Sequence, residues 1–406
     1  MNNEYYKMNL FEKLYIFSLV LLFLKGYNFF YFWSIHIVFF IFLNLVFASL
    51  MFLFSNNLCL SLKKIILMLL IILVFFFASV IGYNLNGIVV NTLLGVTFYL
   101  FIITNERIKK ITLKRITKIY AAILSFSLIF YFLIVVLKIP FPCKEITFNK
   151  GQYYFNNYYV LLERTRGDLL FFARFNSLFL EPGQIGVIAV MLLAANNFEI
   201  KKIDNFLILI CAICTLSLAT YILLIFAIMY KNLKIGRVKY LLLILFILTV
   251  VYIYFVEKAD GFFYERIIKR LMLNEGKLTG DNRVSSAFDY FYNEYMRTDK
   301  SIFGYGAYFD NLNLGDAAGY KAYLMQYGKV GTVLIIITYF FISFGKSRNS
   351  LLFFLIWLLA FVQAAYPLTP TQFILYVAGG EALLKKSSKK INNNKDIGKD
   401  NRCLVE

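Results

Sequence analysis

The residues best suited to chemistry fall in two polar stretches of a strongly apolar chain. In the first, Arg174 stands at the mouth of a segment that runs apolar to Ala195. Glu181 is expected one or two helical turns inside it, with Pro182 and Gly183 directly after. A charge inside a lipid-embedded segment is costly unless it meets a partner or a polar cavity. Pro182 removes a backbone donor and Gly183 relaxes the chain, so the pair predicts a kinked helix with irregular polar backbone. Two readings follow. Glu181 ties helices together by pairing with Arg174, or the two residues line a cavity for an anionic, membrane-borne substrate. The second is preferred. Arg164 and Arg166 lie upstream beside Glu163 and Asp168. An arginine fork suits phosphate and pyrophosphate, although these two serve equally well as ordinary loop ion pairs.

The second polar stretch carries Asp281 and Arg283, then an aromatic helical pattern over 284–298 with Ala287, Phe288, Phe291, Tyr292 and Tyr295 near helical spacing. Arg283 at its start is placed to meet an anion together with the free helix amides, or simply to pair with Asp281. Phe303, Gly304, Tyr305 and Gly306 follow, then Asp310 and Asp316. Tyr323, Leu324, Gly328 and Gly331 lead into the next apolar run. The Gly-x-Gly lacks the setting of a dinucleotide site and reads as a tight turn, and there is no phosphate-loop lysine motif.

The elements that must position these residues are membrane helices. The chain has 406 residues, of which 60% are hydrophobic and only 16% charged. Its mean hydropathy is +0.69. Several runs reach the roughly 20 residues that cross a bilayer. The formal net charge of +19 reflects basic inner loops and not nucleic-acid binding, since no zinc-finger spacing or basic recognition helix occurs. Cys211 and Cys214 have C-x-x-C spacing inside an apolar run and read as small core residues.

The fold class is therefore all-α: a polytopic helical membrane protein of about twelve spans with two long external loops. Residues 1–138 hold the first helices, with spans expected over 29–54 and 119–137 and a basic connection from Arg107 to Lys118 between the fourth and fifth. Residues 139–176 form the first external loop, 177–256 the central helices, 257–327 the second loop, 328–384 the last helices and 385–406 a basic, disordered tail. The stretch 204–230 reads as two short helices broken near Ser217–Thr220. Counting it once gives eleven spans and puts Lys231, Lys234, Arg237 and Lys239 outside, against the positive-inside bias. Counting it twice leaves both termini and the basic loops cytoplasmic.

Taken in order, these motifs resemble the bacterial O-antigen polymerases and ligases. The likeness lies in an arginine before a Glu-Pro helix (Arg174, Glu181, Pro182), and in a loop arginine followed by an aromatic helix and a Phe-Gly-Tyr-Gly turn (Arg283, Phe303–Gly306). A helix entry ending in Gly-x-x-Gly (Gly328, Gly331) completes it. It covers roughly residues 164–344. Many ligases carry a loop histidine, whereas the one histidine here, His36, falls in the expected second span, which favours a polymerase.

The resemblance implies an inner-membrane glycosyltransferase without cofactor or metal, acting on polyprenyl-diphosphate-linked oligosaccharide as donor and acceptor. A chain-length regulator and a flippase are the protein partners it implies. Arg174, Arg283 and Arg166 would hold the diphosphate, Glu181 or Asp281 would act as base, and Tyr305 and Asp310 would contact sugar. Tyr153, Tyr154 and Tyr308 are further stacking candidates. An exporter of lipid-linked sugars is the rival reading.

Overall fold

The computed structural model describes residues 8–55, 61–80, 85–148, 153–164, 174–232, 273–274, 277–278, 286–306, 309, 312, 319–343, 348–363 and 368–388. Within them the chain is predominantly helical. Helix α1 (Leu10–Lys25) opens with a capping box. Asn9 accepts the Glu12 amide at 2.8 Å, and the Glu12 carboxylate takes the Asn9 amide at 3.1 Å. A short 3₁₀ turn, Phe30–Phe32, leads to α2 (Ile37–Phe54). His36 is the N-cap of α2, its Nδ1 accepting the Val38 amide at 3.4 Å. It is thus an exposed helix start and not a residue within a span, because the preceding turn breaks the expected run over 29–54.

Helices α3 (Leu62–Val80), α4 (Leu85–Ile103) and α5 (Glu106–Tyr131) follow, α5 ending in a π turn, Phe132–Val136. The basic run Arg107–Lys118 is helical and not a connection. Asn105 caps it by accepting the Ile108 amide at 3.0 Å, and Ile108, Ile111 and Ile116 bury one face. Lys109 is buried there. Its ammonium donates to the Ile102 carbonyl at 2.7 Å and lies 3.7 Å from the Glu381 carboxylate.

The first polar stretch corrects the all-α reading. It contains an antiparallel meander of β1 (Lys144–Phe148), β2 (Tyr153–Asn157) and β3 (Leu162–Arg164). Alternation decides it: Ile146 lies opposite Phe155, which is buried, while Tyr154, next to Phe155 on β2, faces out. Trp33 seats the inner face, with ring centroids 4.5 Å from Phe148 and 6.0 Å from Phe155.

Next come α6 (Pro182–Ala195), α7 (Ile203–Cys214) and α8 (Leu218–Asn232). The stretch 204–230 is two helices, as its pattern suggested, with the break at Thr215–Ser217. A two-residue hairpin, β4 (Leu273–Asn274) with β5 (Lys277–Leu278), precedes α9 (Ser286–Met296) and α10 (Lys300–Phe303). Helix α11 (Gly319–Ser343) starts nine residues ahead of the apolar run expected from 328, and Gly328 interrupts it at φ 68°. Helices α12 (Arg348–Gln363) and α13 (Pro370–Ser388) close the described chain.

The core forms around α6 and α13. Helix α13 touches α1, α4, α5, α6, α11 and α12, and Phe373–Ala378 are buried without interruption. Helix α6 is apolar on every side and is enclosed by α7, α8, α12 and α13. Among the described residues, three helical stretches are long and apolar enough to cross a membrane: Ile37–Phe54, Glu106–Val136 and Gly319–Ser343. Shorter apolar helices include α6, α7 and α8, of which α7 packs against α5. The expected span 240–256 lies outside the described residues.

Candidate active site

Helix α6 begins at Pro182, so the Glu-Pro-Gly sequence is a helix start and not an internal kink. Pro182 occupies the first helical position, where its missing N–H costs nothing. Glu181 is the extended N-cap residue, at φ −136° and ψ 134°, and it is half-buried. Its side chain makes no capping hydrogen bond, although its carbonyl accepts the Ile185 amide at 3.3 Å. The amides of Gly183 and Gln184, in the first turn, have no intrahelical acceptor by geometry. Such a terminus attracts anions.

Arg174 crosses the break between α7 and α8. Its Nε donates to the Thr215 carbonyl at 3.0 Å, and the Phe175 amide donates to the Cys214 carbonyl at 3.3 Å. A cation at the carbonyl end of α7 is favoured by the helix dipole. Leu216, at φ 47°, turns the chain out of α7 and into α8.

The segment between Arg174 and Glu181 is clamped on several sides. Ser177, at φ 49°, donates through Oγ to Ser127 Oγ at 2.8 Å, and its carbonyl accepts the Leu162 amide of β3 at 2.8 Å. The Leu178 carbonyl accepts the Phe30 amide at 2.9 Å. Two tyrosines reach α6 from elsewhere: Tyr27 donates to the Gln184 carbonyl and Tyr120 to that of Ile185, the latter at 3.1 Å. Both rings pack edgewise or tilted on Phe179.

Between these clamps runs a seam of buried polar atoms. Both amide atoms of Asn176, the Ser217 Oγ and the Thr220 Oγ1 make no hydrogen bond within the protein. The seam is bounded by the Phe175–Cys214 contact at one end and by Thr220 against Gly186 at the other, where a Cβ on Gly186 would overlap the threonine hydroxyl. Buried groups left unsatisfied cost about 1–3 kcal/mol each, and native proteins keep few of them. Elsewhere among the described residues, the Tyr15 hydroxyl, Asn44 Oδ1, Ser125 Oγ, Trp357 Nε1 and Gln372 Oε1 are also buried without a partner. Ser217 and Thr220 were marked only as the expected helix break, and no charge, motif or spacing marked Asn176, Tyr27 or Tyr120. The one available signal was hydroxyl residues within an apolar run.

The second polar stretch has a different construction. Gly304 (φ 85°) and Gly328 (φ 68°) meet backbone to backbone, each filling the space a side chain on the other would need. The Tyr305 amide donates to the Met325 carbonyl at 2.7 Å. Phe288, Tyr295 and Met325 form a small core flanked by Phe291, Tyr292 and Tyr305. The Tyr305 ring lies 5.1 Å from Tyr295, with the Lys300 ammonium 5.8 Å from its centroid. Lys321 bridges α11 to α9 through Asp289 at 2.6 Å. Burial raises the Tyr292 phenol above its ordinary pKa, an effect that the nearby Lys321 opposes.

Of the site residues expected from sequence, Arg174 and Glu181 flank one rigid segment, and Tyr305 packs into the α9–α11 cluster. Arg166, Asp281, Arg283, Asp310, Asp316 and Tyr308 lie outside the described residues. Compared with protein-family models, curated proteins and solved structures, the chain matches none of them.

Proposed function

We propose that the chain is a membrane glycosyltransferase that polymerises polyprenyl-diphosphate-linked oligosaccharides at the outer face of a bacterial inner membrane. The observation that carries this reading is the placement of Arg174 and Glu181 at the two ends of the clamped entry to an enclosed helix, beside a seam of unpartnered polar atoms. The departing diphosphate needs charge neutralisation more than it needs a proton. Arg174 and the Gly183 and Gln184 amides supply it, joined by Arg283 and Arg166 from the two loops. Glu181 is the base, with Asp281 as the alternative. An acceptor hydroxyl attacks the anomeric carbon and gives its proton to the carboxylate. The bond from sugar to diphosphate breaks, and the lipid diphosphate leaves as the anion. About twelve spans with cytoplasmic termini would place both polar stretches on the face where this occurs.

Glu181→Gln is expected to abolish polymer in cells while protein levels stay normal. Loss of the folded protein instead would assign Glu181 a structural role. If Arg174→Lys and Arg283→Lys both retain full polymer length, diphosphate recognition by arginine forks is wrong.

The break between α7 and α8, with polar atoms at its core, favours a second reading, export of the lipid-linked oligosaccharide through a broken-helix site. A deletion strain separates the two. Single repeat units on the surface mean polymerisation is lost, and repeat units trapped inside mean export is lost.

A further inference from the structure

The β1–β3 sheet has two unlike faces. Inward lie Ile146, Phe148, Phe155 and Leu162, packed towards Trp33 and the helices. Outward, by strand alternation, lie Thr147 and Tyr154 as one cross-strand pair, and Glu145, Asn156 and Glu163 as a row across all three strands. Tyr154 is 56% exposed, and Glu145 and Thr147 are exposed beside it. The row is stiffened from below. The Glu163 carboxylate accepts from Asn156 Nδ2 at 3.4 Å and from the Tyr158 hydroxyl at 3.1 Å. Lys144 and Arg164 belong to the opposite face.

We propose that this outer face is a saccharide platform selective for neutral or cationic sugars, and that it receives the glycan of the substrate. The occupant rests on the transferase reading above; the binding chemistry rests on the face itself. Tyr154 offers an aromatic plane on a stiff strand, which suits the apolar side of a sugar ring. Roughly 7 Å along the strand, two residues on, the carboxylate–amide–carboxylate row offers acceptors and a donor for ring hydroxyls. Its two negative charges repel uronic acids and attract amino sugars. They equally repel anionic headgroups, so a lipid surface is not the occupant. The platform is also continuous with the candidate active site. Leu162 of β3 donates to the Ser177 carbonyl at 2.8 Å, and Ser127 links Ser177 to the Val160 carbonyl. A glycan held on the sheet is therefore held in a fixed relation to the segment that ends in Glu181. Tyr305 is set differently: its half-buried ring packs against Tyr295 and Phe291.

The test is binding of three tetrasaccharides to the full chain in lipid nanodiscs: a glucosamine tetramer, maltotetraose and tetragalacturonate. The glucosamine tetramer and maltotetraose are expected to bind and tetragalacturonate not. Tyr154→Ala should weaken binding about tenfold, and Tyr154→Phe should keep it within about twofold. Glu145→Lys, at an exposed position, should shift preference towards tetragalacturonate. Absence of binding by all three sugars, equal binding of tetragalacturonate, or an unaltered Tyr154→Ala variant each overturns the platform. Arg174→Lys should leave tetrasaccharide binding unchanged while cutting polymer in cells. Failure of the transferase reading is thereby told apart from failure of the platform.

Discussion

At the α10–α11 junction two glycines meet backbone to backbone, the surrounding rings close an apolar cluster, and the Tyr295 hydroxyl reaches the Leu324 carbonyl at 2.9 Å. At the entry to α6 the chain packs as tightly, yet four polar atoms of Asn176, Ser217 and Thr220 remain without a protein partner. Both regions rest on a glycine that admits no side chain. One uses it to finish a packed joint, and the other uses it to draw α8 against α6 at Thr220. A motif built of glycine and aromatic residues is thus compatible with a purely mechanical part. The unsatisfied polar atoms at the α6 entry are one of the places where the fold gives up stability.

The contrast can be broken most forcefully at Gly328. Gly328→Ala imposes a side chain on a left-handed backbone already in contact with Ile302 and Phe303, and is expected to cost about 3 kcal/mol or more. Thermal unfolding in detergent measures it, and a variant as stable as the parent would remove the proposed joint. Gly186→Ala should cost about 2 kcal/mol by overpacking against Thr220. The double variant with Thr220→Ala should recover most of that loss, whereas simple addition of the two effects would show that the residues do not press on one another.

Hydroxyl deletion sharpens the comparison further. Tyr295→Phe removes a satisfied hydrogen bond and should destabilise by about 1 kcal/mol. Ser217→Ala and Thr220→Val remove unpaired groups and should be neutral or stabilising by up to about 1 kcal/mol, while polymer yield falls. If they destabilise as Tyr295→Phe does, the seam is ordinary structure. The smallest effect is expected for Tyr305→Phe, below about 0.5 kcal/mol, because the ring supplies the packing. A marked loss of polymer with unchanged stability would return Tyr305 to the sugar-contacting role that its sequence suggested.

Much of the helical framework was legible. Apolar runs bounded by lysines and glycines mark α1, α3, α4, α12 and α13 to within a few residues. Charge misled the reading of α5, where six basic residues mask a buried isoleucine stripe, and polarity hid the small sheet. The entry to α6 was legible as a place but not as a geometry. Pro182 fits both a kink and a first helical turn, and only the extended backbone of Glu181 distinguishes them. The partners of Arg174 could not be read, because Thr215 is distant in sequence and offers only a backbone carbonyl, which carries no residue-type signature.

Composition and periodicity alone determined that this chain is a bundle of apolar helices with two polar, aromatic-rich interruptions, since hydrophobic burial is decided by residue type. Tertiary structure alone decided that α6 is enclosed by protein, that Asn176, Ser217 and Thr220 share one seam, and that Tyr154 stands exposed while Tyr305 is half-buried against Tyr295. Orientation and the pairing of polar atoms depend on which helices meet, and that is settled by the packing of the whole chain.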